Sequence, residues 1–312
     1  MVNRRHIRIK VMQSVYALFQ SKSDNLAKEE KFLNFSVQKT FDLYVLQLLL
    51  LVAVKDMYNE HLQIRKKKFL ATEEDKNPNL KFVDNQVIKA IEESPAVIKY
   101  RNERKMDNWK DDKEFVRVIL DKLMESDILK EYLSTKNNDF KGDKEFIIKF
   151  FKEIVAPDDK LYDYYESMNL SWVDDLPFVN TMVIKSIKNL KPGEPVSLDL
   201  LQVNEEDREF MIDLFRKSVL HHADYDDEID GKTPNWDNDR IAEIDMILIK
   251  MALTEFLYFP SIPTKVTINE YIEIAKDYST QKSSYFVNGV LDKLLKEYQE
   301  AKRLNKSGRG LL

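Results

Sequence analysis

"TKVTINEYIEIAKDYS" (residues 264–279) decides the fold. Its apolar residues Ile268, Ile272 and Ala275 recur at spacings of four and three, the stripe of an α-helix and not the alternation of a strand. Pro263, just before it, fits a helix start. The same pattern spreads outward. "SSYFVNGVLDKLLKEY" (283–298) carries Val287, Val290/Leu291, Leu294 and Tyr298. "DNDRIAEIDMILIKMALTEFLYF" (237–259) offers Asp237/Asn238 as N-caps, carries Ile241, Ile244, Leu248 and Met251, and stops before Pro260. "EEDREFMIDLFRKSVLHH" (205–222) places Phe210, Leu214 and Ser218/Val219 on one side. Ahead of these, "KPGEP" (191–195) is the clearest turn in the chain. The expected fold class is all-α.

One helix carries an oddity. Asn288-Gly289 sits at the centre of 283–298, where Gly costs about 1 kcal/mol relative to Ala. Beside the stripe of Val287, Val290 and Leu291, the missing side chain is expected to let another helix approach closely. Asn288 would then satisfy a neighbouring backbone group.

The first half continues in the same period. "RRHIRIKVMQSVYALFQS" (4–21) aligns Ile7, Val11, Ser14/Val15 and Leu18. Residues 28–69 hold no Pro or Gly and read as one long helix or two closely joined ones. Within them "LYVLQLLLLVAV" (43–54) is too short to span a bilayer and is interrupted by Gln47, so it reads as a buried helix. No secretory leader pattern opens the chain. A soluble, cytoplasmic protein is expected. Asn77-Pro78, Pro95, Gly142 and Pro157 punctuate shorter helical patterns, and 171–190 adds a helix after Pro177. No fixed-period repeat indicates a solenoid. The length of 312 residues fits one large domain or two ordinary ones.

Composition excludes several chemistries. Without Cys there are no disulfides, thiolate metal sites or Cys nucleophiles. Six Gly leave no phosphate-cradling loop, no G-x-G-x-x-G and no G-x-S-x-G. The His residues are His6, His61, His221 and His222, and none sits in a recognisable catalytic motif. No enzyme activity and no cofactor are expected. "DYDDEIDG" (224–231) places Asp226, Glu228, Asp230 and Gly231 loosely as an EF-hand loop begins, but Asp237 stands where the bidentate Glu belongs. A solvated helix end, stopped by Gly231 and Pro234, is the expected reading. His221-His222 then suit the negative end of the preceding helix.

Charge is polarised. The net charge is −5, yet "MVNRRHIRIK" holds Arg4, Arg5, Arg8 and Lys10 with no acid. Arg4 and Arg8 lie one helical turn apart. Guanidinium groups bind phosphates bidentately and stack on bases, which suits single-stranded RNA, and Gln13 and Tyr16 add hydrogen bonding and stacking further along. A merely solvated basic terminus is the alternative. Further basic clusters, Arg65–Lys68 and Arg101–Lys105, fit either an extended RNA surface or solvated helix faces.

These segments resemble the transcription antitermination factor NusB family. "IPTKVTINEYIEIAK" (262–276) and "FVNGVLDKL" (286–294) are similar to its most characteristic stretches. "RRHIRIKVMQSVYALFQS" looks like its arginine-rich first helix, and "DREFMIDLFRKSV" (207–219) like its central helix. The resemblance covers roughly residues 1–35 and 205–300. It implies a compact helical RNA-binding domain, split into 1–35 and 205–312 by a helical insertion or extension over 36–204. It also implies binding of boxA-type RNA together with ribosomal protein NusE, within an antitermination complex with RNA polymerase. The family's RNA-binding element maps onto Arg4, Arg5 and Arg8, with His6 where another Arg is common. Lys282, before the last helix, adds a positive charge to the candidate RNA-binding set of Arg4, Arg5, Arg8, Lys10, Gln13, Tyr16 and Lys282. Removing the three arginines together is expected to weaken RNA binding without unfolding the protein. A homodimer is a further expectation, and no membrane partner is.

Two alternatives compete with this reading. An rRNA cytosine methyltransferase with a NusB-like domain would need a Gly-rich cofactor loop and a Cys nucleophile, which this chain lacks. A helical protein-interaction scaffold that has lost RNA binding is the other, and the basic first helix argues against it.

Overall fold

A computed structural model describes residues 4–135, 139–230 and 242–311. Among them there is no strand. The first two helices are α1 (Arg4–Ser21) and α2 (Leu26–Lys66). Shorter helices follow: α3 (Glu73–Lys76), α4 (Gln86–Glu92), α5 (Pro95–Arg104), α6 (Asn108–Asp111), α7 (Lys113–Glu125) and α8 (Asp127–Ser134). Then come α9 (Phe140–Phe150), a π-helical turn over Phe151–Val155, α10 (Asp159–Met168) and α11 (Ser171–Asn189). The last group is α12 (Glu205–Leu220), α13 (Asp226–Ile229), α14 (Glu243–Tyr258), α15 (Thr264–Tyr278) and α16 (Ser283–Glu300), with a short 3-10 turn over Gly308–Leu311. Residues 28–66 are thus part of one helix, not two.

The chain divides into two compact units: a middle unit, Gln38–Gln202, and a terminal unit made of the residues up to Val37 and from Val203 onward. In the middle unit, α2 is the axis of the core. Leu43, Tyr44, Val45, Leu46, Leu48, Leu50 and Leu51 are all buried, which is why no amphipathic period shows there. This helix is long and apolar enough to cross a membrane, but most of its apolar stretch is buried inside the protein. Polar ties fix α2 in place. Trp109 and Trp172 donate their indole N–H to the Leu46 and Lys39 carbonyls at 2.8 Å, and Tyr44 meets Ser186 at 2.6 Å. Arg104 grips Asp42 with two bonds of 3.0 and 2.7 Å, and Arg101 pairs with Asp107 at 2.9 Å, so this basic cluster is partly spent within the unit.

α11 differs from the sequence expectation. The helix does not begin after Pro177 but runs through it from Ser171. Proline removes one backbone donor there. Buried Trp172, Leu176, Val179, Met182 and Val183, on both sides of Pro177, hold the helix across the gap.

In the terminal unit, α14 is the central helix, in contact with α1, α12, α15 and α16. Ile247–Phe256 are buried without interruption, the sign of a helix surrounded by others. α15 and α16 form a helical hairpin across it, burying Ile268, Tyr271, Ile274 and Ala275 with Val287, Val290, Leu291 and Leu294. Gly289 corrects an expectation. It is exposed, and a Cβ added to it meets nothing within 4 Å, so no helix packs there. Beyond α16 the tail is bound to the α14–α15 turn. Ser307 N–H donates to the Pro260 carbonyl at 3.1 Å, and Lys306 Nζ donates to the carbonyls of Glu255 (3.2 Å) and Phe259 (3.0 Å). Gly310 has no room for a side chain, because a Cβ would stand 1.9 Å from the Pro260 oxygen.

The expected caps Asp237 and Asn238, the stripe residue Ile241, and the stops Gly231 and Pro234 lie outside the described residues. At the acidic stretch, Glu228 is engaged by Arg303 through two bonds, 2.8 and 3.0 Å, and by the Tyr298 hydroxyl at 2.5 Å. His221 does lie at the C-terminal end of α12, where its Nδ1 is 2.9 Å from Asp224.

Candidate nucleic-acid interface

α1 spans the range its sequence period indicated, but it is buried on more than one side. Besides Ile7, Val11, Ser14, Val15 and Leu18, the helix buries His6, Arg8, Ile9, Lys10 and Met12. The cause is its position against α12, α14 and α15 together. A stripe reading finds the face toward one neighbour and misses the others.

The three arginines have different fates. Arg8 is 2% exposed and makes a two-pronged bond to Glu255 of α14, both contacts 2.8 Å. Thr267 donates its hydroxyl to the same carboxylate at 2.6 Å. Burial alone disfavours the Arg8 charge, but Glu255 outweighs it and raises the pKa above its ordinary value. Arg4 reaches the first turn of α12, donating to Asp207 at 3.0 Å and Glu206 at 2.5 Å, with 33% of its side chain exposed. Arg5 forks onto Glu270 of α15 at 2.8 and 3.0 Å and stands 3.8 Å from Glu273, with 34% of its side chain exposed. The Glu270 hydrogen bond is the largest influence raising its pKa. Phe210 lies beneath both Arg4 and Arg8, 5.1 and 5.2 Å from the guanidinium carbons. Arg4 and Arg8 therefore do share a face, and Phe210 is the surface they share. Sequence reasoning found Phe210 only as a stripe residue, and nothing marked Glu255, Thr267 or Glu270 as partners of the arginines.

Lys10 is also buried, at 1% exposure. Gln13 is half-buried and Tyr16 exposed, two and three turns beyond Arg5 along α1. Lys282 is exposed just before α16. Its neighbour Ser283 donates to Asp245 at 2.6 Å, and Gln20 donates to Glu243, so the start of α16 and the end of α1 both adjoin the start of α14. Along the axis of α1, Arg4 and Arg5 thus lie at one end, Gln13 and Tyr16 further along, and Lys282 near the far end. Arg4 turns toward α12 and Arg5 toward α15, while Arg8 and Lys10 are buried. Each of the two open guanidiniums already faces carboxylates, so any polyanion here must compete with Glu206, Asp207, Glu270 and Glu273.

No metal-ligating cluster of three or more His, Asp or Glu exists among the described residues. The site is a helical bundle that holds a cationic helix against acidic neighbours. Comparison with known proteins gives this class its family. The model of the NusB family matches residues 179–296. "Transcription antitermination protein NusB" of Salinibacter ruber is 47% identical over 105 residues, 34% of this chain and 66% of that relative. The protein of the same name from Chloroherpeton thalassium is 44% identical over 105 residues, covering 50% of its length. That from Finegoldia magna is 37% identical over 99 residues, covering 72%. The chain belongs to the NusB family. It matches between half and two thirds of the first two relatives, and those matches cover about a third of the chain itself. No solved structure matches.

Proposed function

We propose that this protein is a transcription antitermination factor that binds boxA-type RNA together with ribosomal protein NusE, in a complex with RNA polymerase, without catalysing a reaction itself. It works in the cytoplasm. The family match over α12–α16 carries the reading, and the cationic residues of α1 supply the contact chemistry. RNA contact falls to Arg4 and Arg5 for phosphate, Gln13 and Tyr16 for unstacked bases, and Lys282 for added charge. Arg8 and Lys10 belong to the site from behind, Arg8 by fixing α1 on α14. His6 is buried and has no place in a direct contact. Affinity should be mainly electrostatic and salt-sensitive. A partner protein adds buried surface, so RNA alone binds more weakly.

The test is fluorescence anisotropy of boxA-type RNA against a scrambled sequence of equal length, with and without NusE. Preference for boxA that sharpens when NusE is added supports the reading. The carboxylates already seated on Arg4 and Arg5 favour one competitor, a helical scaffold without RNA function. It gains if neither RNA binds with or without NusE.

A further inference from the structure

The end of α2 carries a second feature of the same chemistry, in the middle unit. Lys66, Lys67 and Lys68 are exposed and make no ion pair among the described residues, and Phe69 follows them fully exposed, at 101%. Isolated charge runs are usually solvated, but this one is built. Arg65, just before the lysines, is tied to Asp75 at 2.5 Å, closing the base of the loop. Inside the loop, successive turns run from Lys67 N–H to the Ile64 carbonyl, Lys68 N–H to Arg65, and Ala71 N–H to Lys68, each 3.2 Å. On the far side Thr72 and Asp75 exchange reciprocal capping bonds, 3.1 and 3.0 Å, that start α3. The clasp spends Arg65 and leaves three lysines and one aromatic face pointing away from the core.

We propose that Lys66–Phe69 is a contact for single-stranded RNA, with the lysines on phosphates and Phe69 stacked on a base. It rests on the reading above that the protein binds RNA, and it adds a site no family resemblance supplies. Both chemical elements of sequence-tolerant strand binding are present, a cationic track and an open ring. An anionic lipid surface is the main rival, since Ile64 (66%) and Leu70 (85%) are also exposed. A planar surface, however, must also face exposed Glu73 and Glu74 at the start of α3, five and six residues after Lys68, whereas a single strand is narrow enough to follow the lysines and avoid them. Tethered to a chain already holding RNA elsewhere, even a weak second contact gains from effective concentration.

The experiment uses the full chain, with oligouridylate and boxA-type RNA as anisotropy probes across salt and phosphatidylcholine/phosphatidylserine vesicles in a cosedimentation arm. The variants are K66A/K67A/K68A, F69A and R4A/R5A, each checked for unchanged thermal unfolding. The triple lysine variant should bind oligouridylate at least tenfold more weakly at low salt, with its salt slope smaller by about 2. F69A should lose roughly tenfold with the slope unchanged. If all tip variants bind oligouridylate like wild type, or if wild type does not bind it, the proposal is overturned. It is equally overturned if they lose vesicle binding alone. Loss of boxA binding in R4A/R5A, with the tip variants unaffected, would leave the α1 reading standing by itself. The reverse pattern would sink the α1 reading and keep this one.

Discussion

At the residue scale, one helix carries arginines of opposite burial. Glu255 and Arg8 are both buried, and each is the other's compensation. Removing one partner of such a pair leaves an uncompensated interior charge, which costs about 3–5 kcal/mol. Arg8→Ala should therefore destabilise the protein by that order in urea unfolding, and Glu255→Ala should do likewise. Arg8→Met with Glu255→Leu should cost far less than the sum, because neither charge is then stranded. The expectation that all three arginines can be removed without unfolding conflicts with the burial of Arg8, and is kept as a prediction for Arg4 and Arg5 alone, whose side chains are a third exposed. Gly289 argues in the other direction. It lies mid-helix with open space where its Cβ would be, so Gly289→Ala should raise stability by about 1 kcal/mol in the same assay. No change, or a loss, would mean that the position is filled in a way this structure does not contain.

At the element scale, the period of apolar residues placed the helices well wherever a helix has one dry face. α1, α12, α15 and α16 begin and end within two residues of the sequence reading, because Pro263, the polar run after Tyr278 and the acids before Phe210 are local signals. α2 and α14 are enclosed, so α2 was legible only by its length and apolarity, whereas α14 was legible by a partial stripe through Ile244, Leu248 and Met251 and by its stop before Pro260. Pro177 misled because the tertiary contacts of α11 outweigh one lost backbone bond. The partner carboxylates of α1 were not legible at all. They lie some two hundred residues or more from the arginines in sequence, and a carboxylate on a helix, whether buried like Glu255 or exposed like Glu206, gives no sign of which side chain it will meet. The tail was equally silent. Gly310 is pressed on the Pro260 carbonyl, so Gly310→Ala should displace Lys306–Leu311 from the α14–α15 turn. Faster amide exchange at Ser307 and Gly310, with the core helices unchanged, is the expected readout; unchanged exchange would contradict it.

At the scale of the whole molecule, terminal segments far apart in sequence build one bundle while Gln38–Gln202 builds another. The bundle's stability has a pH signature. His222 is half-buried against the Phe19 ring at 3.9 Å, and burial, then Lys250, push its pKa down to about 4, with Asp226 opposing. His6 is fully buried and shifted the same way, by burial and then Lys10. Both remain neutral in the fold while the unfolded chain protonates near the ordinary value of 6.5. The stabilising contribution of His222 is complete above about pH 6.5 and is lost as pH falls toward 4, and His6 acts in the same direction. Thermal unfolding followed across that range should show the decline, and His222→Phe should flatten part of it. A flat profile in wild type would contradict the buried neutral histidines.

The central claim is a division of labour on α1, with open arginines for RNA and a buried one for the fold. Its most direct test is the affinity of R4A/R5A for boxA-type RNA in the presence of NusE, read across salt beside its melting temperature. The account predicts a melting temperature close to wild type, affinity lower by at least tenfold at low salt, and a shallower salt slope. Wild-type affinity and slope in the double variant would contradict it, and so would a loss of affinity matched by a loss of folding.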